Sequence, residues 1–361
     1  MTTTDMQQIL EQFQDRVRAA AAGKQALRIR GGGTKDWYGQ GFDGEILDTR
    51  AYAGIVDYEP TELVITARCG TPLAEIEAAL AERQQMLAFE PPHFGEGATF
   101  GGAIAAGLSG PRRASSGALR DFVLGTKLLD GKGEVLTFGG QVMKNVAGYD
   151  VSRLLAGSMG TLGLLLEVSV KVLPLAYREA TLRFEMSEVD AIRKLNEWGG
   201  QPLPISGSCW TDGVLALRLS GARAAVDAAV RDLGTRHGGQ IMPDCSPFWA
   251  GLREQRHAFF GGDAPLWRLS LPSTAGAIGL AGPQLIEWGG AQRWLRADGD
   301  AAAGARIRAK AAECGGHATL FRGGDKRVGV FQPLAPAIAK IHERLKAGFD
   351  PSGIFNPGRM S

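Results

Sequence analysis

Apolar positions in residues 5–22 recur at helical spacing. Ile9, Leu10, Phe13 and Val17 predict a helix there. Leu27–Arg30 reads as a short strand that runs into Gly31-Gly32-Gly33-Thr34-Lys35. Leu63-Val64-Ile65-Thr66-Ala67 is apolar and β-branched, the composition of a strand. A helix is expected from Thr71 to about Arg83, with Thr71 as N-cap, Pro72 at the first helical position and Glu75 in the first turn. Residues 94–117 are rich in Gly, Ala and Ser. Strands follow at 121–129 and 135–138, joined by the hairpin-like turn Asp130-Gly131-Lys132-Gly133. The apolar run 162–173 is closed by Pro174. This half lacks the regular βαβ alternation of a dinucleotide-binding fold.

The second half begins near Leu175. Strands are expected at 181–186, 205–210, 214–219, 267–271, 285–288, 293–296 and 317–321. Helices are expected at 189–198, 223–237 and 301–313. Strands with helices on one side make a small α+β domain. A last amphipathic helix at 336–349 leads into Asp350-Pro351-Ser352-Gly353-Ile354-Phe355-Asn356-Pro357-Gly358-Arg359. The fold class is therefore α+β, with domains at 1–174 and 175–335 and a tail at 336–361.

Composition narrows the class. The 361 residues are 44% hydrophobic and 22% charged, enough to bury a core. The 51 glycines are about twice the usual ~7% share and have no fixed period. They come from tight turns or from backbone that approaches a ligand closely. Lys and Arg number 40 against 38 Asp and Glu, and no basic stripe appears, so nucleic acid is not an expected partner. No apolar run reaches membrane-spanning length, and residues 1–18 lack the apolar core of a signal peptide. Cys69, Cys209, Cys245 and Cys314 form no CxxC pair, which argues against an iron–sulfur cluster held by this chain. The expected location is cytoplasmic, with peripheral membrane association only through partners. The five histidines show no metal-ligand spacing, so no metal is expected.

Three glycine-rich stations carry the candidate chemistry. Consecutive glycines in Gly31–Gly33 allow N–H groups to form a nest for phosphate oxygens, with a Thr34 hydroxyl and a Lys35 charge beside it. The second station, Ala98-Thr99-Phe100-Gly101-Gly102-Ala103-Ile104-Ala105-Ala106-Gly107, continues to Ser115-Ser116-Gly117 and Arg120-Asp121. Its small residues admit a flat ligand, and a helix starting at Gly101-Gly102 would turn its N-terminus to an anion. The third is Gly157-Ser158-Met159-Gly160-Thr161-Leu162-Gly163, reached through Lys144–Asp150. Each alone reads equally as a tight turn or as small-residue packing.

In this order the stations resemble the flavin domain of the vanillyl-alcohol-oxidase, or PCMH-type, FAD-binding family. That family shows a Gly-Gly-Gly-Thr/His/Asn loop, a Thr-x-Gly-Gly loop and a Gly-x-x-x-Asp-x-Val-x-Gly segment, matched here at 117–125. Its Gly-Ser-x-Gly-Thr-Leu-Gly matches 157–163, and its Phe-Asp-Pro-x-x-x-Phe-Asn-Pro-Gly-Arg matches 349–359. The resemblance covers about 10–174 and the tail, and it implies FAD. Gly31, Gly32, Gly33, Thr34, Lys35, Thr99, Phe100, Gly101 and Gly102 would hold the pyrophosphate. Gly107, Gly117, Asp121, Gly160, Thr161, Leu162 and Gly163 would line the ribityl, flavin and adenine regions. Arg30, Pro92 and Ala105 complete the implied set, and Asn356 would return near the ring. Many members attach FAD through a His in the first loop. Thr34-Lys35 stand there without a nearby His, so non-covalent FAD is expected.

Within the family, Gln141–Asp150 and the short length look most like the smaller flavin subunits of bacterial glycolate-oxidising complexes. Such complexes resemble assemblies of a larger FAD-containing subunit, this smaller one and an iron–sulfur subunit, acting on a small 2-hydroxy acid. The family's hydroxy-acid dehydrogenases carry a His-x-Gly-Asp-Gly-Asn-x-His segment in the cap. Here Gly315-Gly316-His317-Ala318 keeps one His of it. The candidate catalytic residues are His317 as base, Arg322 or Arg268 as carboxylate clamp, and Lys144, with Tyr149, at the flavin edge. Three readings stay open: an FAD subunit whose substrate is turned over mainly in the larger subunit, a self-sufficient FAD-dependent 2-hydroxy-acid dehydrogenase, and a non-catalytic scaffold. Trp249, Phe259, Phe260 and Trp294 are either partner anchors or cap core.

Overall fold

The computed structural model describes residues 3–140 and 150–360. Lys144 and Tyr149, with the rest of 141–149, lie outside the described residues.

Helix α1, Thr3–Gly23, buries Met6, Phe13, Val17 and Ala20 along one face. Strand β1, Leu27–Arg30, pairs in parallel with β2, Glu45–Asp48, and then come β3, Ile55–Glu59, and β4, Val64–Arg68. Helix α2, Leu73–Ala81, starts one residue later than the capping argument predicts. Pro72 takes the N-cap position, and the Thr71 hydroxyl is spent on Gly54, accepting from its N–H at 2.9 Å and donating to its carbonyl at 3.2 Å. A buried turn outbid the helix end for that hydroxyl. The two-residue strand β5, Gln85–Met86, follows.

Three short helices come next: α3, Phe100–Ala106; α4, Arg113–Ser116; and α5, Leu119–Phe122. Strands β6, Val123–Leu129, and β7, Val135–Gly139, form the expected hairpin, and α6, Val151–Leu155, precedes β8, Leu164–Lys171, and β9, Leu173–Pro174. Strands β4 and β8 are buried on nearly every position, which explains their unbroken apolar runs. They stand second and third in an antiparallel five-stranded sheet of order β3-β4-β8-β6-β7.

The later elements are β10, Arg178–Glu185; α7, Glu188–Gly199; β11, Ile205–Thr211; β12, Val214–Gly221; and α8, Arg223–His237. They continue with β13, Gln240–Ile241; α9, Ser246–Arg253; β14, Leu266–Ser270; β15, Gln284–Glu287; and β16, Gln292–Arg296. Last come α10, Ala301–Glu313; β17, His317–Arg322; and α11, Pro336–Phe349. Strands β10 to β17 make one antiparallel eight-stranded sheet of order β13-β10-β12-β11-β15-β16-β14-β17. Helices α7 and α8 pack their apolar faces on its β10–β12 half, and α10 packs on the β14–β17 half. Ser187 and Asp300 cap α7 and α10 by accepting from Asp190 N and Ala303 N.

The chain divides into two compact units. The first is 1–108, 118–174 and 333–361, and the second is 109–117 with 175–332. Ser109–Gly117 thus fold with the second unit, tied by Trp288 Nε1 donating to the Gly110 carbonyl and by the Arg112–Glu179 ion pair. Trp249, Phe259, Phe260 and Trp294 are all buried in the second unit, so they build its core and are not anchors at its surface. No helix among the described residues is long and apolar enough to cross a membrane.

Candidate functional site

In the first unit, β1 carries the chain into Gly31–Lys35 at the wall of a cleft of about 620 Å³. Gly31–Lys35 share that wall with Arg28, Arg30, Thr99, Gly102, Ala105, Asn356 and Arg359. A second cavity of about 410 Å³ shares Gly31, Gly102, Ala105, Met159 and Asn356 with it and reaches Gly101, Gly160 and Gly163. All three glycine-rich stations and the tail therefore meet in one place.

The backbone of the first station is built for close approach. A Cβ on Gly32 would lie 1.7 Å from the Gly97 carbonyl oxygen, so no side chain fits between the loops. Among the described residues, the N–H groups of Gly31, Gly32, Gly33 and Thr34 donate to no protein acceptor. Four adjacent unspent donors make an anion-binding nest. Lys35 Nζ is held over the loop, donating to the Thr34 hydroxyl at 3.3 Å and to the His93 carbonyl at 3.1 Å. Arg28 and Arg30 both reach Asp36 Oδ2, each at 2.8 Å, so two cations share one carboxylate oxygen. With Lys35 and Arg359, four cations face one carboxylate around the cleft.

The second station behaves differently from the expectation. Helix α3 does begin there, but its N-terminal donors are already used. Phe100 N donates to Thr71 O, Gly101 N to Cys69 O, Gly102 N to Thr99 Oγ1 and Ala103 N to Thr99 O. The helix end is thus a packing joint, and the free donors lie on the first loop. Burial pushes the neighbouring Cys69 thiol up to about 12, so it stays protonated and unreactive.

The tail closes the cleft. Phe355 lies parallel to Leu27, with Leu27 N donating to Ile354 O and Asn356 N to Leu27 O. The Asn356 side chain then bridges β1 and the third station: its Oδ1 accepts from Ile29 N at 2.9 Å and its Nδ2 donates to Met159 O at 2.7 Å. Asn356 and Met159 both sit at positive φ, 40° and 52°, backbone strain that the surrounding bonds hold in place. Arg359 donates to the carbonyls of Lys35, Asp36 and Gln40, which fixes the far side of the first loop. Burial lowers the Arg359 pKa, and Asp36 offsets part of that.

The remaining candidates divide. Phe100 and Leu162 are buried core residues. Gly107 is the left-handed C-cap of α3. Thr161 donates its hydroxyl to Ser158 O. Asp121 accepts from Ala118 N at the start of α5. None of these, nor Pro92, lines the two cavities. Gly117 folds with the second unit. His93 is distant in sequence from the first loop but its carbonyl touches Lys35, and its ring meets Glu77 at 2.9 Å. Sequence reasoning missed Arg28, Met159 and Arg359 as lining residues. Arg359 carried a signal, since it ends the matched tail motif.

In the second unit, His317 and Arg322 stand at opposite ends of β17. Five strand residues span about 17 Å, so the two side chains do not converge on a small substrate, although the irregular register at Leu266–Trp267 sets Arg322 opposite Leu266. Arg268 is the residue that meets His317: Ser270 pairs with His317 and Arg268 with Thr319, which puts Arg268 diagonally across on the same face. Loss of water and then the Arg268 charge hold the His317 pKa below its ordinary 6.5, although the residue as a whole stays partly exposed. The Arg322 pKa is lowered by burial and by Arg296, its neighbour at the far end of the strand pair. The Arg113 guanidinium lies 4.4 Å from the Trp288 ring centre, and Arg268 lies 6.0 Å from it. Among the described residues no three His, Cys, Asp or Glu side chains converge on a metal position.

Comparison with known proteins follows the same division. The FAD binding domain family matches residues 9–139. The glycolate oxidase subunit GlcE of Escherichia coli (strain K12) is 50% identical over 354 residues, 98% of this chain and 97% of that one. The glycolate oxidase subunit GlcD of Bacillus subtilis (strain 168) is 39% identical over 93 residues, 26% of this chain and 20% of that one. A D-lactate dehydrogenase of Archaeoglobus fulgidus is 32% identical over 152 residues, 40% and 33% of the two chains. Among solved structures, alkyldihydroxyacetonephosphate synthase superposes with a TM-score of 0.65 at 15% identity, covering 95% of this chain and 74% of that one, a likeness of fold.

Proposed function

The chain belongs to the family of the glycolate oxidase subunit GlcE, and from that premise we propose that it is the smaller FAD-binding subunit of a multi-subunit oxidase that converts glycolate to glyoxylate. The single observation that carries the cofactor is the nest at Gly31–Thr34, four free N–H donors inside a cationic cleft. It fits a pyrophosphate, whose oxygens need several donors and positive charge. FAD, when bound, supplies an acceptor for the two electrons removed from an alcohol carbon. Within this chain, Gly31–Thr34 bind the diphosphate, Lys35 and Arg28 balance its charge, and Asn356 fixes the loops against each other. On this reading the cofactor is held non-covalently: Thr34 and Lys35 stand where an attaching His would be, and among the described residues the nearby His93 ring is engaged with Glu77.

The second unit supports a smaller chemical role. Oxidising a hydroxy acid needs a base for the hydroxyl proton and a cation for the carboxylate. His317 and Arg268 make one such pair, with the imidazole kept neutral and so able to accept a proton. Arg322 stands at the far end of the strand from His317 and is too distant to join them. On this reading substrate is turned over mainly in the larger FAD-containing subunit, an iron–sulfur subunit takes the electrons onward, and the assembly meets the membrane through those partners. The test uses the purified chain and the co-expressed complex under anaerobic conditions. The chain alone is expected to be yellow and to keep its flavin absorbance when glycolate or D-lactate is added, whereas the complex bleaches. Rapid bleaching of the isolated chain overturns the division of labour, and a colourless chain that takes up no added FAD overturns the cofactor.

A further inference from the structure

Residues of the last turn of α7, the first half of β11 and the Trp288–Gly290 turn line a cavity of about 980 Å³ in the second unit, against about 620 Å³ for the cationic cleft of the first. All of its lining residues fall within 109–117 and 175–332, so it belongs to the second unit alone. The chemistry proposed above makes no use of it. Strand β11 shifts register between Ile205 and Gly207 in this wall, the kind of irregularity that opens a strand beside a site. The rest of the wall is pinned. Asn196 Nδ2 donates to the Ser273 carbonyl at 2.9 Å, and Asn196 Oδ1 accepts from the Ser273 hydroxyl at 3.1 Å. The fully buried Arg293 donates to the carbonyls of Ala275, Gly276 and Gly290, which ties the loop after Ser273 to the Trp288–Gly290 turn.

The wall is uncharged. Among the described residues, Trp198 and Trp288 line it and no Asp, Glu, Lys, Arg or His does. Most of its polar side chains are already spent on protein. Asn196 and Ser273 hold each other, Ser206 exchanges hydrogen bonds with Arg218, and Ser115 donates to the Arg112 carbonyl. Trp288 Nε1 donates to the Gly110 carbonyl at 3.0 Å. Two buried donors are left over. Trp198 is fully buried, its ring packed on Phe184 and His237, and its Nε1 has no acceptor among the described residues. Ser208, 2% exposed, accepts from Gly289 N at 3.0 Å, and its own hydroxyl proton has no acceptor among the described residues. A buried donor without an acceptor is costly, so two of them on one cavity mark a place where something else supplies the acceptor.

We propose that this cavity is a binding site for an uncharged, flat molecule that carries a carbonyl oxygen, of the aryl ketone type. The Trp198 indole and the Ser208 hydroxyl donate to the oxygen, and the apolar wall covers the flat part. A carboxylate or an ammonium group would enter a wall without a counter-ion, which burial penalises heavily. A sugar brings many donors of its own, and the buried side-chain acceptors of the wall are in use. Small-molecule sites are commonly concave, about 300–1,000 Å³ in volume, and largely apolar with a few placed polar groups, which is the composition found here. The inference stands apart from the subunit reading above and holds whichever subunit turns the hydroxy acid over.

The test titrates acetophenone into the full chain in the presence of excess FAD, which occupies the cleft of the first unit, and follows binding by saturation-transfer NMR. Acetophenone is expected to saturate with a dissociation constant on the order of 1 mM, in keeping with its size. Benzoate, of the same size but charged, is expected to bind at least ~10-fold more weakly. Trp198→Phe removes the N–H and keeps a ring, and Ser208→Ala removes the hydroxyl. Each is expected to weaken acetophenone by roughly 3–10-fold. Should Trp198→Phe lower the melting midpoint, Ser208→Ala and the benzoate comparison decide the matter. No saturable binding of acetophenone to the wild-type chain overturns the inference, since the two donors then hold water alone. Benzoate that binds as tightly as acetophenone overturns it as well, and so does a folded Trp198→Phe or Ser208→Ala variant with wild-type affinity. A chain that takes up no FAD overturns the cofactor reading of the first unit and not this one, because the two substitutions still locate the acetophenone.

Discussion

Asn356 shows how one side chain joins parts of the chain that lie far apart in sequence. Its amide satisfies a backbone donor at Ile29 and a backbone acceptor at Met159, and its own backbone is at positive φ. Asn356→Ala leaves both part-buried groups without this partner, at a cost of up to about 1 kcal/mol each, since water in the cleft can replace part of what is lost. The expected result is a lower urea midpoint and FAD affinity weakened by roughly tenfold, read by flavin titration. Asn356→Asp keeps the acceptor for Ile29 but sets a carboxylate against the Met159 carbonyl, so it is expected to fall below Asn356→Ala in flavin affinity. Equal affinity in both variants and wild type would show that the bridge does not shape the cleft. The residue type and its place in the tail motif were legible in the sequence. Its bonds were not, because a motif gives the identity of a residue and not the direction of its amide.

Pairings between elements explain more of the fold than element bounds do. Helices α8, α10 and α11 have the ends read from the sequence, whereas β2 and β3 escaped notice. Glu45-Ile46-Leu47-Asp48 buries only Leu47 fully, too weak a pattern to read as a strand before its partner β1 is known. The same holds for catalytic candidates on β17. His317 and Arg322 are close in sequence and apart in space, while Arg268 is brought to His317 only by the β14–β17 register. The His317 titration, followed by its ring-proton NMR signal, is expected to have a midpoint below 6.5, and Arg268→Ala is expected to raise it. The folded chain binds this proton less readily than the unfolded one, so between the lowered pKa and 6.5 stability rises with pH and is lost as pH falls through that window. A midpoint unmoved by Arg268→Ala would separate the two groups. At the end of α11, Lys346 donates to buried Asp350 and to the Thr161 and Phe355 carbonyls, and Asp350 accepts from Ile354 N and Phe355 N. Lys346→Ala leaves a buried carboxylate without its cation. The expected loss is on the order of 2–3 kcal/mol by urea unfolding, below the ~3–5 of a fully buried pair because Lys346 is partly exposed. A loss under about 0.5 kcal/mol, the usual range for surface changes, would mean that the tail does not depend on this lock.

At the scale of the whole molecule, the glycine excess resolves into a location. The stations of the first unit meet around one cationic cleft, while the second unit keeps its own cores. Order of the motifs made the flavin domain legible, since each station supplies a surface that the others complete. The spent donors of α3 and the free donors of Gly31–Thr34 were not legible, because both stretches read alike as glycine-rich loops. The division has a thermodynamic consequence. A ligand bound only by the folded first unit stabilises that unit by about 2.7 kcal/mol at a hundredfold excess over its Kd. Tryptophan reports mainly on the other unit: of seven, only Trp37 lies in the first, and Trp198, Trp210, Trp249, Trp267, Trp288 and Trp294 lie in the second. Unfolding followed by release of flavin fluorescence is therefore expected to shift upward by several degrees as FAD is added, with a smaller shift in the tryptophan-monitored transition. Arg28→Ala, which removes a cation from the cleft wall, is expected to reduce the flavin-monitored shift at equal FAD and leave the tryptophan-monitored transition of the FAD-free chain in place. A shift confined to the tryptophan signal would place the cofactor in the second unit and overturn the assignment of the cleft.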